Sequence, residues 1–142
     1  VAACAREMDA APYVDLKTTV MTPEHVAWVK AQDIGGVPFM AMASFTEGGI
    51  GQTLSVLSEL KPFMSEIRFD HIDTIAANRS AFQAAGMALW TNTLDMANSG
   101  AWTDTVALKD PDKIWGRLID AGISAIQTDQ PAALKAYLEK RA

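Results

Sequence analysis

One arrangement repeats five times along this chain and restricts the folds that it can adopt. A short apolar segment rich in β-forming residues is followed by a loop and then by an amphipathic helix. Strands that alternate with helices in this way favour βαβ crossovers and a parallel sheet, so we predict an α/β fold. The predicted strands are residues 13–17, 37–43, 65–69, 87–91 and 123–127, and the last predicted helix is 132–140.

Local helix signals agree with this pattern. Thr22 is a good N-cap and Pro23 a good first helical residue, and Asp110-Pro111 begins a later helix. Gly86 and Gly122 follow helical segments, where glycine often supplies the left-handed residue that ends a helix. These signals place helices between the predicted strands.

Two architectures fit the repeat: an open doubly wound sheet and a closed TIM-type (β/α) barrel. A whole barrel takes about 250 residues. The 142 residues present therefore hold between four and five of its units. An incomplete barrel exposes two edge strands and half of its lumen, so the barrel interpretation requires further chain. A small complete α/β protein with an open sheet is a third, weaker alternative.

Composition excludes some classes of function. The net charge of −5 provides no general attraction to phosphate backbones, which argues against a nucleic-acid partner. No apolar stretch approaches the roughly 20 residues that a membrane-spanning helix needs. The single Cys4 cannot form an internal disulfide, and a chain that begins at Val1 without a signal-like segment is expected to have a processed or truncated N-terminus.

The strongest local signal for chemistry is in the first predicted strand. Alternation places Asp15 and Lys17 on one face, near the C-terminal end of the strand, which is the catalytic side of a barrel. Asp15 suits a hard divalent cation and Lys17 a phosphoryl oxygen. A solvated edge strand on which the two charges neutralise each other is an equally open interpretation.

The third predicted strand repeats this spacing with Glu66 and Arg68, followed by Asp70 and His71. One of these residues could line the catalytic side of the barrel next to Asp15 and Lys17. A buried Glu66–Arg68 pair in the barrel interior is an equal alternative. Asp70 could also cap the next turn. His71 could be a general base, but a histidine in such a loop is more often exposed.

The later strands offer further candidates. Trp90 and Asn92 share a face with Ala88 and could contact the apolar part of a ligand, although Trp90 could equally belong to the core. Gln127 and Asp129 form a same-face pair, and we favour Asp129 as the N-cap of the last helix. Residues 48–51, with sequence GGIG, are a weak phosphate-binding signal.

Several segments resemble bacterial glycerophosphodiester phosphodiesterases. Residues 110–119, DPDKIWGRLI, and residues 126–134, IQTDQPAAL, resemble the final helix, strand and helix of that family. LWTN at 89–92 is similar to a Trp-Thr-x-Asn strand of the family, with Asn92 one residue early. YVDLK at 13–17 is similar to its fourth barrel strand, which carries Glu-x-Lys, so that Asp15 stands where glutamate is usual. Ala43-Ser44-Phe45 resembles the next strand.

The resemblance implies a function and a set of roles. The activity would be hydrolysis of a glycerophosphodiester to an alcohol and glycerol phosphate, with Ca²⁺ or Mg²⁺ as cofactor. Asp15 would be a metal ligand, Lys17 the catalytic phosphate-contacting residue, and Ser44, Trp90 and Asn92 substrate-binding residues. The closest resemblance is to exported members, which favours a periplasmic or secreted protein.

The resemblance also implies that residues 1–142 are the C-terminal portion of one barrel domain and cover barrel units four to eight, about the last five units of a TIM-type barrel. The family's His-Arg pair, Glu-x-Asp metal motif and second histidine precede those units and have no counterpart here. The missing N-terminal half of the barrel is therefore an expected partner, and we expect this chain alone to be inactive. The alternative is a non-catalytic, degenerate barrel that binds a phosphorylated ligand or a protein partner.

Overall fold

The structure, a computed structural model, describes residues 2–46, 48–98 and 101–142. Within these ranges the strands are β1 (Leu16–Thr19), β2 (Phe39–Phe45), β3 (Met64–Phe69), β4 (Ala88–Asn92) and β5 (Ala125–Gln127). The α-helices are α1 (Ala2–Glu7), α2 (Pro23–Lys30), α3 (Ile50–Ser58), α4 (Ile72–Ala77), α5 (Arg79–Ala84), α6 (Asp104–Lys109), α7 (Arg117–Ala121) and α8 (Pro131–Arg141). A 3₁₀ helix covers Ala11–Tyr13, and a π-helical segment, Asp112–Gly116, leads into α7.

The strands form one parallel sheet in the order β1-β2-β3-β4-β5. Each strand lies beside its neighbour in sequence, so the order never reverses. A doubly wound sheet needs such a reversal, because its helices change from one face to the other at that point. The predicted α/β fold with parallel strands is confirmed, and the doubly wound alternative is wrong for the described residues.

The first two strands begin later than predicted. Pro12 lies in the 3₁₀ helix Ala11–Tyr13, and β1 starts only at Leu16. Pro38 precedes β2 because a residue without an N–H cannot donate to a sheet ladder. Pro38 instead accepts a hydrogen bond at its carbonyl from the Leu16 N–H, at 2.9 Å. The consequence is that Asp15 lies before β1, at its N-terminal end.

One face of the sheet forms the core. Ala41, Phe45, Ile67 and Leu89 point to this face and are buried in a single cluster with apolar residues of helices α2 to α8. Phe45 packs edge-on against Phe82 of α5 at 5.1 Å between ring centroids. Burying a side chain of this size stabilises the fold by about 1.5–3 kcal/mol. The helices therefore cover one face of the sheet.

Four predicted helix ends agree with the structure, whereas the single helix expected around Ile75 and Phe82 is divided into α4 and α5. Thr22 caps α2 by accepting a hydrogen bond from the His25 N–H, and Asp110 accepts one from the Lys113 N–H. Gly86 and Gly122 have positive φ angles of 64° and 100° and end their helices. No helix in the described ranges is long and apolar enough to cross a lipid bilayer.

Candidate functional site

The second face of the sheet contributes no residue to the core cluster, and we call it the open face. Strand register arranges its side chains in three rows across the sheet. The N-terminal row is Lys17, Met40, Met64 and Ala88; the middle row is Thr19, Met42, Glu66, Trp90 and Ala125; the C-terminal row is Ser44, Arg68, Asn92 and Gln127.

The open face changes in polarity from one end of the strands to the other. The N-terminal row is largely apolar, whereas the C-terminal row is entirely polar. In parallel α/β sheets, ligands bind at the carboxyl ends of the strands, because the loops that follow them can surround a small molecule there. The polar row lies at that end.

Lys17 is the centre of the site. Its Nζ atom lies 2.7 Å from Glu66 Oε2 and 4.6 Å from the centroid of the Trp90 ring. Glu66 is one row closer to the carboxyl ends of the strands, so the lysine side chain extends in that direction across the sheet. The Glu66 side chain is 10% exposed and that of Lys17 is 35% exposed. The ammonium group is therefore anchored by Glu66, while part of the lysine side chain stays open to solvent.

Glu66 connects Lys17 to the loop after β4. Asn92 Nδ2 lies 3.4 Å from Glu66 Oε1, a long hydrogen bond. Asn98 Nδ2 in turn donates to the backbone oxygen of Asn92 at 2.6 Å and to its Oδ1 at 3.0 Å. A chain of polar contacts thus runs from β1 to the β4–α6 loop. We call Lys17, Glu66, Trp90 and Asn92 the lysine cluster.

The lysine cluster can hold an anion. An ammonium group has three N–H donors, and Glu66 takes one of them, which leaves donors for the oxygens of a ligand. The open face carries two cations, Lys17 and Arg68, and one carboxylate, Glu66, so its net charge is +1, whereas the whole chain carries −5. The positive charge of this face is thus a local feature that the composition hides.

The structure brings together four of the five predicted site residues. Lys17, Trp90 and Asn92 meet in the lysine cluster, and Ser44 lies in the C-terminal row, where it lines a small cleft of about 140 Å³ with Thr19, Glu66 and Arg68. Trp90 is half-buried on this face and is not part of the main core.

Asp15 is the exception. The prediction that Asp15 and Lys17 lie near the C-terminal end of β1 is wrong, because β1 begins only at Leu16. Asp15 is exposed before the strand, and Lys17 is its second residue, in the N-terminal row, from which only the long side chain extends towards the carboxyl ends. The described residues contain no group of three or more His, Cys, Asp or Glu side chains that could hold a metal ion. A role for Asp15 as a metal ligand remains a prediction.

Other sequence interpretations are also changed. Among the described ion pairs, Glu66 pairs with Lys17, so the predicted Glu66–Arg68 pair does not form. His71 is exposed at the start of α4, and His25 accepts a hydrogen bond at Nδ1 from the Met21 N–H. Asp129 is not the N-cap of α8: Gln130 holds that position, without a side-chain hydrogen bond. The suggested phosphate-binding role of residues 48–51 remains a prediction.

Sequence reasoning missed one interaction and one residue. Glu66 was recognised as a candidate, but its partnership with Lys17 depends on strand register, which no local pattern specifies. Asp104 was missed entirely: it is 2% exposed and accepts hydrogen bonds from Thr93 Oγ1 at 2.5 Å, Thr128 Oγ1 at 2.7 Å and the Asp129 N–H at 2.8 Å. An aspartate in the first turn of a helix is so common that the sequence offers no signal for this role.

Comparison with family models decides where the chain belongs. A family described as a domain of unknown function, DUF4996, matches residues 39–138, which is well over half of the chain. The chain belongs to the DUF4996 family. The DUF4996 match runs from the start of β2 into α8 and therefore includes Glu66, Trp90 and Asn92, whereas Lys17 precedes it. Comparisons with curated proteins and with solved structures found no match.

Proposed function

We propose that this DUF4996 chain supplies the C-terminal units of a TIM-type (β/α) barrel that hydrolyses glycerophosphodiesters to an alcohol and glycerol phosphate. The observation that carries the proposal is the position of the Lys17 ammonium group. It is held by Glu66 and Trp90 on the open face, with donors available for a phosphoryl oxygen. The sequence resemblance supplies the substrate class, and it also favours an exported protein.

The sheet topology supports the barrel part of the proposal. Sequential parallel strands with helices on one face are the arrangement from which a (β/α) barrel is built. In the described ranges β1 pairs with β2 and β5 pairs with β4, so one edge of each strand is left without a partner. Preceding barrel units would pair with both edges and would enclose the open face as a lumen.

In this barrel Lys17 binds and orients the phosphodiester. A hydrolytic transition state gathers negative charge on the phosphoryl oxygens, and a fixed cation beside them stabilises that charge without reorganising. Glu66 keeps the ammonium group in place, and Lys17 lies between that carboxylate and the substrate anion. Trp90 provides an apolar surface against which the carbon skeleton of the glycerol can pack.

The divalent cation that the sequence resemblance implies does not fit the described residues alone. Asp15 is exposed at the far end of β1, and Glu66 is already engaged by Lys17. A Ca²⁺ ion takes six to eight oxygen ligands, and Mg²⁺ is bound through one or two carboxylates together with substrate phosphate and water, so both need a carboxylate beside the phosphate that is not already paired with a cation. We therefore assign no step of the reaction to a metal held by this chain.

The test is Lys17→Met in the full-length protein, assayed by release of glycerol phosphate from glycerophosphoglycerol. We expect turnover to fall by at least about tenfold, because a donor to the transition-state charge is lost. Lys30→Met is the matched control: Lys30 also pairs with a glutamate, Glu59 at 2.8 Å, but on the exposed surface of α2. It should leave turnover unchanged.

Removing Lys17 alone leaves Glu66 buried without its partner, which lowers stability by itself. The double variant Lys17→Met/Glu66→Gln removes both charges and restores a neutral interior. If it folds like the wild type and turns over normally, the proposal is wrong. Binding of glycerol 3-phosphate that depends on Lys17, without any turnover in the wild type, would instead support the non-catalytic alternative.

A further inference from the structure

A cleft opens where β3 and β4 separate. Their register runs from Met64↔Ala88 to Glu66↔Trp90, and both strands continue for at least two more residues beyond the last pair. Thr91 Oγ1 donates to the Ile67 backbone oxygen at 3.2 Å and bridges the diverging strands. The cleft has a volume of about 380 Å³ and lies at the carboxyl ends of the strands, where α/β sheets bind ligands.

Two side chains of opposite charge line the cleft, and they do not form an ion pair with each other. Among the described lining residues the charged ones are Arg68 and Asp70, and both are exposed. In the described part of the chain neither forms an ion pair within 4.0 Å, with each other or with a third residue. Asn92 and Asn98 add amide groups. A ligand with one negative and one positive group could therefore pair with both charges.

The aromatic side chain in the cleft wall limits where the positive group of a ligand can bind. Trp102 lines the cleft and packs edge-on against Phe69, with ring centroids 5.5 Å apart. The guanidinium carbon of Arg117 lies 5.4 Å from the Trp102 centroid. Because that ring already has a cation, it is a poor site for a second one. Asp70 is therefore the better partner for a ligand ammonium group.

We propose that this cleft is a head-group subsite for a zwitterionic amino-carboxylate, such as the serine of a serine phosphodiester. The ligand carboxylate pairs with Arg68, whose planar guanidinium suits two-point contact with a carboxylate, and the ammonium group pairs with Asp70. The inference rests on the proposed function, which places the phosphate at Lys17.

The geometry connects the two positions. Arg68 follows Glu66 by two residues on the same face of β3, a separation of about 7 Å along the strand. A phosphoryl group bound at Lys17, beside Glu66, can therefore carry a short head group that reaches Arg68. Asn92 belongs to both the lysine cluster and the cleft wall, so the two sites are contiguous.

The test measures binding of phosphomonoesters, which a diesterase does not cleave, to the full-length protein by calorimetry. We expect O-phospho-L-serine to bind about tenfold more tightly than O-phosphoethanolamine, because only the former has a carboxylate for Arg68. Arg68→Gln should abolish this difference, and Asp70→Asn should weaken both ligands. Arg6→Gln, which removes a cation paired with Asp33 near the N-terminal end of β2, is the control and should change nothing.

Equal affinity of the two ligands in the wild type, or no binding of either, would overturn the inference. A difference that survives Arg68→Gln would overturn it too. Lys17→Met separates this inference from the proposed function, since it should weaken both ligands alike. If Lys17→Met has no effect while Arg68→Gln abolishes the difference, the subsite stands and the proposed phosphate site fails.

Discussion

At the scale of single residues, the Lys17–Glu66 ion pair contributes little to the stability of the fold. An ion pair removed from water must offset the desolvation of both charges, and such pairs add little net stability compared with apolar residues. Glu66 is almost fully buried while Lys17 keeps a third of its side chain exposed. This asymmetry leaves part of the lysine side chain accessible to solvent, which suits a ligand-binding lysine better than a purely structural one.

Asp104 has the opposite character, because its carboxylate is satisfied entirely from within the protein. It joins β4 to the loop after β5 through Thr93, Thr128 and the Asp129 N–H. We predict that Asp104→Ala destabilises the fold by about 3 kcal/mol, since three hydrogen-bond partners, of which Thr93 is fully buried, lose their acceptor. Chemical denaturation would measure the change. Asp73→Ala, which removes an exposed partner of Arg117, should cost less than about 1 kcal/mol.

This account would be contradicted if Asp104→Ala lowered the free energy of unfolding by no more than Asp73→Ala does. The comparison is informative because both aspartates lie in the first turn of a helix, α6 and α4, and differ chiefly in burial. Sequence reasoning treats the two alike. The difference between them follows from the long-range contacts of Asp104 with the loop after β5, where Thr128 and Asp129 are 24 and 25 residues away along the chain.

At the scale of elements, the start of α6 is held by a charge that titrates. Asp95 accepts hydrogen bonds from the Thr105 N–H at 3.1 Å and from Thr105 Oγ1 at 2.9 Å. These bonds favour the ionised form and hold the pKa of Asp95 below its ordinary value. A carboxyl group with a lowered folded-state pKa stabilises the fold above its unfolded-state pKa, and that contribution is lost as the pH falls through the folded-state value.

We therefore predict that Asp95→Asn lowers the melting temperature at neutral pH and that the difference from the wild type disappears in acid. Because asparagine does not titrate, the stability of the Asp95→Asn variant does not include this pH-dependent contribution. Thermal unfolding followed by circular dichroism at a series of pH values from 7 to below 3 would measure this. A difference that stays constant, or grows, as the pH falls would refute the assigned role of the Asp95 charge.

For two glycines at helix ends we predict opposite effects of alanine substitution on stability. Gly122, after α7, has φ +100°, and a Cβ atom there would lie 3.1 Å from Arg79 Cγ. Gly51, in the first turn of α3, has a helical position and nothing within 4 Å of such an atom. We expect Gly122→Ala to destabilise the protein by more than about 1 kcal/mol, and Gly51→Ala to stabilise it by up to about 1 kcal/mol. Thermal unfolding of both variants would measure these opposite signs.

Several helix ends were predictable from sequence because their signal is local, although α6 and its N-cap Thr103 were missed. Thr22, Gly86 and Gly122 mark helix ends through their own backbone preferences, and the structure agrees with all three. The start of β1 was misplaced because residues 13–15 have the composition of a strand, while Pro12 belongs to a 3₁₀ helix that only the structure reveals. That shift of a few residues moved Asp15 from the proposed site to the opposite end of the strand.

At the scale of the whole molecule, the order of the strands is the most informative property. The repeating pattern in the sequence predicts a parallel sheet, but it does not distinguish a sheet covered on one face from a sheet covered on both. The order β1-β2-β3-β4-β5 makes that distinction and leaves Lys17, Glu66 and Trp90 together on the uncovered face. Their association depends on register across three strand pairs and could not be read from spacing.

The measurement that tests the account most directly is a crystal structure of the full-length protein with glycerol 3-phosphate bound. We predict that further strands pair with the free edges of β1 and β5, that the open face becomes the lumen of a closed barrel, and that a phosphate oxygen lies within hydrogen-bond distance of Lys17 Nζ. Helices packed across the open face, or a phosphate bound away from Lys17, would contradict the account.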